Sequence, residues 1–322
     1  MSYELILPFF PEELRALLLD PSISDLMING TSGVYADRGG RIEEIALTAP
    51  YTNDRLQAAI ERVARVLGQD LTSQNPILNT RLPDGSRVAV VGPPSSIHGT
   101  TLTIRKFNRW YSSDELVASE TMTQEVRDAV VGLIHERKNG IISGGTGSGK
   151  TTLMKALLDH VPVEERLIVI EQPAELKIAH PNAVRWEAVD AIPGQVAVTT
   201  SQLVAAALRH RPDRIIMGEI RDECGYDLLQ AMNTGHGGTL STLHADSALD
   251  ALDRLADMAL SARINLNQAF VRSQTGKAVD FVLHCERDAG GRRRVRELIT
   301  VSGYSHQDGC FQTEEVYRAS CT

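Results

Sequence analysis

From Asn53 to Leu67 the apolar residues Leu56, Ala59, Ile60, Val63, Val66 and Leu67 recur every three or four positions, the spacing that lines one face of a helix. Thr52 or Asn53 can cap its start, because a short polar side chain there accepts from the free amides of the first turn. Farther on the period falls to two. Arg87-Val88-Ala89-Val90-Val91 and Thr101-Leu102-Thr103-Ile104-Arg105 alternate, and Pro83-Asp84-Gly85 after Leu82 marks a turn before the first of these runs. A helix with short strands joined by turns predicts an α+β module over residues 1–107. Leu5-Ile6-Leu7 with Phe9-Phe10 reads as core or subunit contact of that module.

The periodicity breaks over residues 108–120, around Trp110-Tyr111-Ser112-Ser113-Asp114, and this stretch reads as a linker. A second pattern starts at Thr121. Thr123 caps a helix that turns Val126, Val130, Leu133 and Ile134 inward. Ile141-Ile142 and the runs Leu167–Ile170, Ile215–Met217 and Thr239–Leu243 read as strands. They alternate with helices beginning at Leu153 and spanning Ser201–Arg209 and Glu223–Asn233. That alternation predicts an α/β domain over residues 121–322, with a mostly parallel sheet that presents ligands at the carboxyl ends of its strands. Helices around Ala248–Leu260 and Asn265–Lys277 follow, and then Val279–Leu283 with Val295–Val301 as a hairpin on the sheet's edge.

A chain of 322 residues, 42% of them hydrophobic, can hold two domains with sizeable cores. No apolar run approaches the roughly 18–20 residues of a spanning helix, and no basic segment precedes an apolar run at the start, so neither a transmembrane segment nor a secretory signal is expected. Cys224, Cys285, Cys310 and Cys321 form no C-x-x-C pair, which fits a reducing cytoplasm and argues against a zinc knuckle or a disulfide framework. With 33 basic and 41 acidic residues the formal charge is −8, the wrong sign for strong nucleic-acid binding. The run Arg292-Arg293-Arg294-Val295-Arg296 is a local exception, and it reads as a solvated hairpin limb rather than a membrane or nucleic-acid contact.

Chemistry enters at Gly144-Gly145-Thr146-Gly147-Ser148-Gly149-Lys150-Thr151-Thr152, between a predicted strand and a predicted helix. Glycines at that spacing let successive backbone N–H groups turn toward one centre, and the following helix N-terminus favours anionic phosphate. Lys150 then reaches the β- and γ-phosphates of a nucleoside triphosphate, and the Thr151 hydroxyl stands where Mg²⁺ is held.

Hydrolysis needs a group that orients or deprotonates water, and Glu219 closes the strand in Arg214-Ile215-Ile216-Met217-Gly218-Glu219. Gly218 occupies the place where an Asp commonly precedes such a Glu. A second acid, Glu171, ends the preceding strand in Ile170-Glu171-Gln172-Pro173-Ala174-Glu175. In Thr234-Gly235-His236-Gly237-Gly238-Thr239-Leu240-Ser241-Thr242-Leu243-His244-Ala245-Asp246, His244 sits at the carboxyl end of a strand, where a neutral imidazole can donate to the γ-phosphate, whereas His236 precedes that strand.

Together these strings resemble the secretion and conjugation traffic ATPases, relatives of the pilus-retraction and type II secretion motors. The matching segments are Gly144–Thr152 as phosphate loop, Ile170–Glu175 as acidic box, Ile215–Arg221 as Walker B and Gly235–Asp246 as histidine box. In the first module, Leu82–Val88 and Thr103–Phe107 look like the segments that supply arginines, so the resemblance assigns Arg87 and Arg105 to neutralising phosphate charge. It implies a RecA-like P-loop domain preceded by a smaller α+β domain, a homo-oligomeric ring of six, ATP and Mg²⁺ as ligands, and partners in an inner-membrane secretion or conjugation complex. The location implied is cytoplasmic, peripheral to the inner membrane. The short N-terminal module and the Thr103-Ile104-Arg105-Lys106-Phe107 string look most like the type IV secretion and conjugation branch. Gln172 departs from the Asp of many relatives, and the tetracysteine insert of the type II motors is absent.

The expected function is a Mg²⁺-dependent ATPase motor that couples hydrolysis to interdomain motion. A DNA-translocating RecA-like motor and a non-catalytic nucleotide-sensing assembly scaffold are the alternatives.

Overall fold

The computed structural model describes residues 6–38, 41–47, 52–66, 68–82, 85–106, 111–189, 196–221, 224–262, 266–288 and 290–319. It contains two compact units, Met1–Arg109 and Trp110–Thr322.

The first unit runs α1 (Glu12–Leu19), β1 (Ile23–Asn29), β2 (Val34–Arg38), β3 (Arg41–Ile45), α2 (Asn53–Val66), β4 (Ile77–Arg81), β5 (Arg87–Val91) and β6 (Thr101–Arg105). Its six strands form an antiparallel sheet in the order β3-β2-β1-β6-β5-β4. Alternate residues of β5 and β6, Val88, Val90, Leu102 and Ile104, share a core with Leu56, Ile60 and Val63 of α2 and with Ile6 and Phe10, which settles the N-terminal apolar cluster as core for its described members. Leu5, Leu67, Pro83, Asp84, Phe107, Trp110, Glu223, Asn265 and Cys321 lie outside the described residues. At the start of α2 the Thr52 hydroxyl accepts from Arg55 N, while the Asn53 amide oxygen reaches across to Thr100 N at 2.8 Å.

The second unit continues with α3 (Ser113–Ala118), α4 (Gln124–His135), β7 (Gly140–Ser143), α5 (Lys150–Leu158), β8 (Leu167–Glu171), β9 (Ala183–Glu187), α6 (Thr200–Ala207), β10 (Arg214–Met217), α7 (Cys224–Asn233), β11 (Leu240–Leu243), α8 (Ala248–Ser261), α9 (Gln268–Ala278), β12 (Phe281–Arg287), β13 (Arg293–Ser305) and β14 (Cys310–Arg318). Strand order is β14-β13-β12-β7-β11-β10-β8-β9. The strands from β12 through β9 are parallel, and β13 and β14 join antiparallel. The predicted hairpin therefore lies deeper than the edge: β12 pairs directly with β7, and β14 is the outermost strand.

Neighbouring strand residues feed opposite layers. Ile141, Ile168, Ile170, Ile215 and Met217 pack with α6 to α9, whereas Ile142, Leu167, Val169 and Ile216 pack with α3 to α5. A parallel sheet covered on both faces has this two-sided apolar signature. Thr123 caps α4 as expected, its hydroxyl accepting from Val126 N at 3.2 Å. Helix α3 falls inside the stretch that lacks periodicity and is held by a capping box between Ser112 and Glu115. No helix among the described residues is long and apolar enough to cross a membrane.

Candidate nucleotide site

Strand order reverses at β7, whose neighbours β11 and β12 both come later in the chain, so the crevice at its carboxyl end is the sheet's switch point. The loop from Gly144 to Gly149 fills that position. Gly144 has φ 151°, and a Cβ there would lie 2.1 Å from the Cys285 carbonyl oxygen, so the floor of β12 admits glycine alone. Gly147 and Gly149 have φ of 72° and 97°, left-handed conformations that let the chain curl before α5 begins at Lys150. Gly145, Thr146 and Gly147 are exposed, Ser148 is buried against the Cys285 sulfur at 3.4 Å, and Thr151 and Thr152 are half-buried in the first turn of α5. The Cys285 thiol, raised in pKa by burial, donates to the Ser143 carbonyl.

Lys150 is 8% exposed, and its ammonium donates to the carbonyls of Gly144 and Gly145, both at 2.8 Å. Burial lowers its pKa, which leaves the ammonium poised for an anion that would restore the lost solvation. Its third contact is His244 Nδ1 at 3.3 Å, and His244 Nε2 lies 2.8 Å from Glu219 Oε1. Glu219 Oε2 in turn accepts from Arg221 Nε at 2.8 Å. Lys150, His244, Glu219 and Arg221 thus form one chain across the carboxyl ends of β7, β11 and β10. Local geometry holds Glu219 there: Gly218 N donates to Ile170 O, Thr242 Oγ1 donates to Gly218 O at 2.6 Å, and Ile220 N donates to Thr242 O.

Glu171 points elsewhere. It is 3% exposed, Oε1 accepts from Glu175 N at 2.7 Å and Leu176 N at 2.8 Å, and Oε2 lies 3.5 Å from Arg185. Burial raises its pKa against the pull of those donors. A Cβ on Gly218 would come within 2.9 Å of Glu171 Cγ. Glu171 thus fills part of the volume that an Asp side chain at position 218 would enter. His236 stands at the opposite end of β11 from His244, beyond Thr239, whose hydroxyl donates to the His236 carbonyl.

In the first unit, Arg87 and Arg105 are directly opposite each other on β5 and β6, and the same register row continues to Arg81 on β4 and Asp25 on β1. Arg105 Nε donates to Asp25 Oδ1 at 2.8 Å. Cross-strand partners share a face, so three arginines line one row on the face away from the core. Arg81 is not among the residues the motifs point to; its signal is the hairpin register that pairs it with Arg87. Arg221, two residues beyond Glu219, is the other residue missed, and its signal is its place within the Walker B string.

The type II/IV secretion system protein family matches residues 12–319. The chain belongs to this family. It is 34% identical over 307 residues to the conjugal transfer protein TrbB of Rhizobium radiobacter, covering 94% of this chain and 90% of that protein. To the type IV secretion system protein VirB11 of Brucella suis biovar 1 it is 31% identical over 321 residues, covering 90% and 89%. The solved structure of the Legionella pneumophila ATPase DotB shares the fold with a TM-score of 0.64 at 19% identity, over 88% of this chain and 77% of that one. Membership in the type II/IV secretion family agrees with the resemblance drawn from the phosphate loop, acidic box, Walker B string and histidine box, and with the RecA-like α/β class.

Proposed function

We propose that this member of the family is a Mg²⁺-dependent ATPase motor that powers conjugative pilus assembly or substrate transfer in a type IV secretion system. The observation that carries the reading is the Lys150–His244–Glu219 chain at the switch point of the sheet. Loop amides and Lys150 bind the triphosphate. Glu219 orients water and takes its proton as the water oxygen bonds to the γ-phosphorus and the bond to the β-phosphate oxygen breaks, giving ADP and phosphate. His244 holds Glu219 in place and registers the γ-phosphate through Lys150. Glu171, expected from its motif to be a second acid of the site, instead supports the site from behind Gly218, its carboxylate held by the Glu175 and Leu176 amides.

Mg²⁺ fits the residues present. Thr151, half-buried in the first turn of α5 beside the phosphate loop, offers a hydroxyl oxygen of the hard kind that Mg²⁺ takes together with the nucleotide's phosphate oxygens. When bound, the ion draws charge from the phosphate oxygens.

In this reading residues 1–107 form the smaller domain, 108–120 connect it and 121–322 form the ATPase domain. Arg87 and Arg105 neutralise phosphate charge, six copies assemble into a ring, and hydrolysis drives interdomain motion against inner-membrane secretion partners from the cytoplasmic side. The relatives named for conjugal transfer and type IV secretion support this setting. Steady-state phosphate release by the purified chain tests the reading: the wild type turns over ATP only with Mg²⁺, and Lys150→Ala abolishes turnover and weakens binding. ATP binding without phosphate release would leave a nucleotide-sensing scaffold instead, and stimulation by single-stranded DNA would favour a DNA motor.

A further inference from the structure

The basic run Arg292–Arg296 lies on a hairpin limb as expected, with Arg292 and Arg293 exposed and Arg294 and Arg296 half-buried, but its side chains have local partners. Arg294 pairs with Glu120 at 3.7 Å and Arg296 with Glu286 at 2.7 Å. Arg293 goes to the phosphate loop, where its Nε donates to the Gly147 carbonyl at 2.9 Å, and its Cδ lies 3.2 Å from the point that a Cβ on Gly149 would occupy. Register places Arg287 directly opposite Arg293, and the Arg287 guanidinium comes within 3.9 Å of the equivalent point on Gly147. The hairpin thus brings two arginine side chains to the Gly147–Gly149 end of the loop.

Arg293 also walls a cavity of about 200 Å³ that it shares with Tyr111, Leu116, Gly149, Thr152 and Leu153. The cavity adjoins the first turn of α5 through Gly149 and Thr152, and its Tyr and Leu walls suit a flat, largely apolar group. Lys150 is occupied with Gly144 and Gly145 at the start of the loop, while Arg293 stands at its end. The Gly147 carbonyl uses one of five guanidinium donors, and a planar guanidinium matches phosphate oxygens in pairs.

We propose that Arg293 is a phosphate-positioning residue: its guanidinium neutralises the diphosphate of a bound nucleoside di- or triphosphate at the Gly147–Gly149 end of the loop, and the cavity it walls receives the nucleoside. This rests on the ATPase reading and extends it to a residue outside the family motifs quoted above.

The test is equilibrium titration of the full chain with fluorescently labelled ADP and Mg²⁺, with inorganic tripolyphosphate as competitor. Arg293→Ala weakens both ligands by about tenfold or more, the effect of losing one charge-assisted contact. Arg293→Gln keeps a donor for the Gly147 carbonyl without the charge and binds as weakly as Arg293→Ala, whereas Arg293→Lys keeps the charge and binds more tightly than either. Equal binding by the Gln and Lys variants, or wild-type affinity in Arg293→Gln, overturns the proposal, because the arginine would then only shape the loop. Melting without nucleotide confirms that the compared variants are folded, and the Gln and Lys pair decides the outcome if Arg293→Ala is not. A wild type that fails to bind ADP defeats the ATPase reading itself. Wild-type binding that is lost in Lys150→Ala and kept in Arg293→Ala defeats the arginine proposal alone.

Discussion

Glu219 Oε1 and His244 Nε2 lie 2.8 Å apart, and the contact fixes the tautomer of the imidazole. An ammonium can only donate, so Lys150 requires His244 Nδ1 to accept, and the ring proton must then sit on Nε2, facing the Glu219 carboxylate. One neutral imidazole satisfies both neighbours. Burial first, and then the Lys150 charge, push the His244 pKa below its ordinary 6.5, against the opposing pull of Glu219.

Acid should therefore break the chain from the middle. Once His244 takes a second proton, Nδ1–H faces the Lys150 ammonium, so the acid limb of kcat/KM, which reports the nucleotide-free enzyme, is expected below pH 6.5. For stability the sign is that of a depressed histidine: between the lowered folded pKa and 6.5 the unfolded chain binds more protons, so stability rises with pH through that window and is lost as pH falls through it. His244→Gln, which cannot titrate, removes this acid limb and slows turnover by about 10- to 100-fold, as for other residues that orient a catalytic group. A pH profile of phosphate release for the two proteins checks both statements; an unchanged acid limb in His244→Gln would exclude His244 as its source.

Glu219→Gln keeps the shape of the side chain while removing the proton acceptor, and its one amide oxygen can accept from Arg221 or from His244 Nε2–H but not from both. Turnover is expected to fall by about 10²- to 10⁴-fold, the usual worth of general-base catalysis, with ATP affinity retained. Single-turnover phosphate release together with nucleotide binding measures the two effects separately. Hydrolysis at the wild-type rate would take the water-activating role away from Glu219.

Glu171 and Glu219 should separate in stability as well. Removing the buried Glu171 carboxylate leaves the amides of Glu175 and Leu176 without their acceptor, so Glu171→Ala is expected to cost about 1–3 kcal/mol. Glu219→Gln leaves no buried amide unpaired and should melt with the wild type. Denaturant titration of the three proteins decides this, and equal stability of Glu171→Ala and wild type would show that the loop after β8 holds itself.

What is legible in the chain is chiefly what is local. The phosphate loop, the Thr123 cap and the buried strands each write their signature within a few residues. Helix α3 is only Ser113–Ala118, too short to show a period, although the Ser112 and Glu115 spacing of its capping box is a local signal. Strand β14 leaves no alternating pattern, because as an outermost strand it exposes Gln312, Thr313, Glu314 and Glu315 in succession and buries only Phe311 fully. The meeting of Lys150 with His244, 94 positions apart, follows from the rule that parallel strands present ligands at their carboxyl ends. No rule of that kind leads from the Arg292–Arg296 run to Gly147, because the register of one hairpin decides it.

The contact between Glu171 and Gly218 yields the most stringent test of the site's packing. Gly218→Asp restores the acid common before a catalytic Glu, but its Cβ would meet Glu171 Cγ at 2.9 Å, and two carboxylates would then share one partly buried space. Overpacking of this kind costs about 1–3 kcal/mol, and like-charge repulsion adds to it. Truncating the neighbour removes the obstacle, so Gly218→Asp should cost less in a Glu171→Ala background than in the wild type. Two residues in contact are expected to couple by about 0.5–3 kcal/mol in such a double-mutant cycle, read from denaturant midpoints at neutral pH. Additive effects would mean that Gly218 owes its identity to something other than the volume held by Glu171.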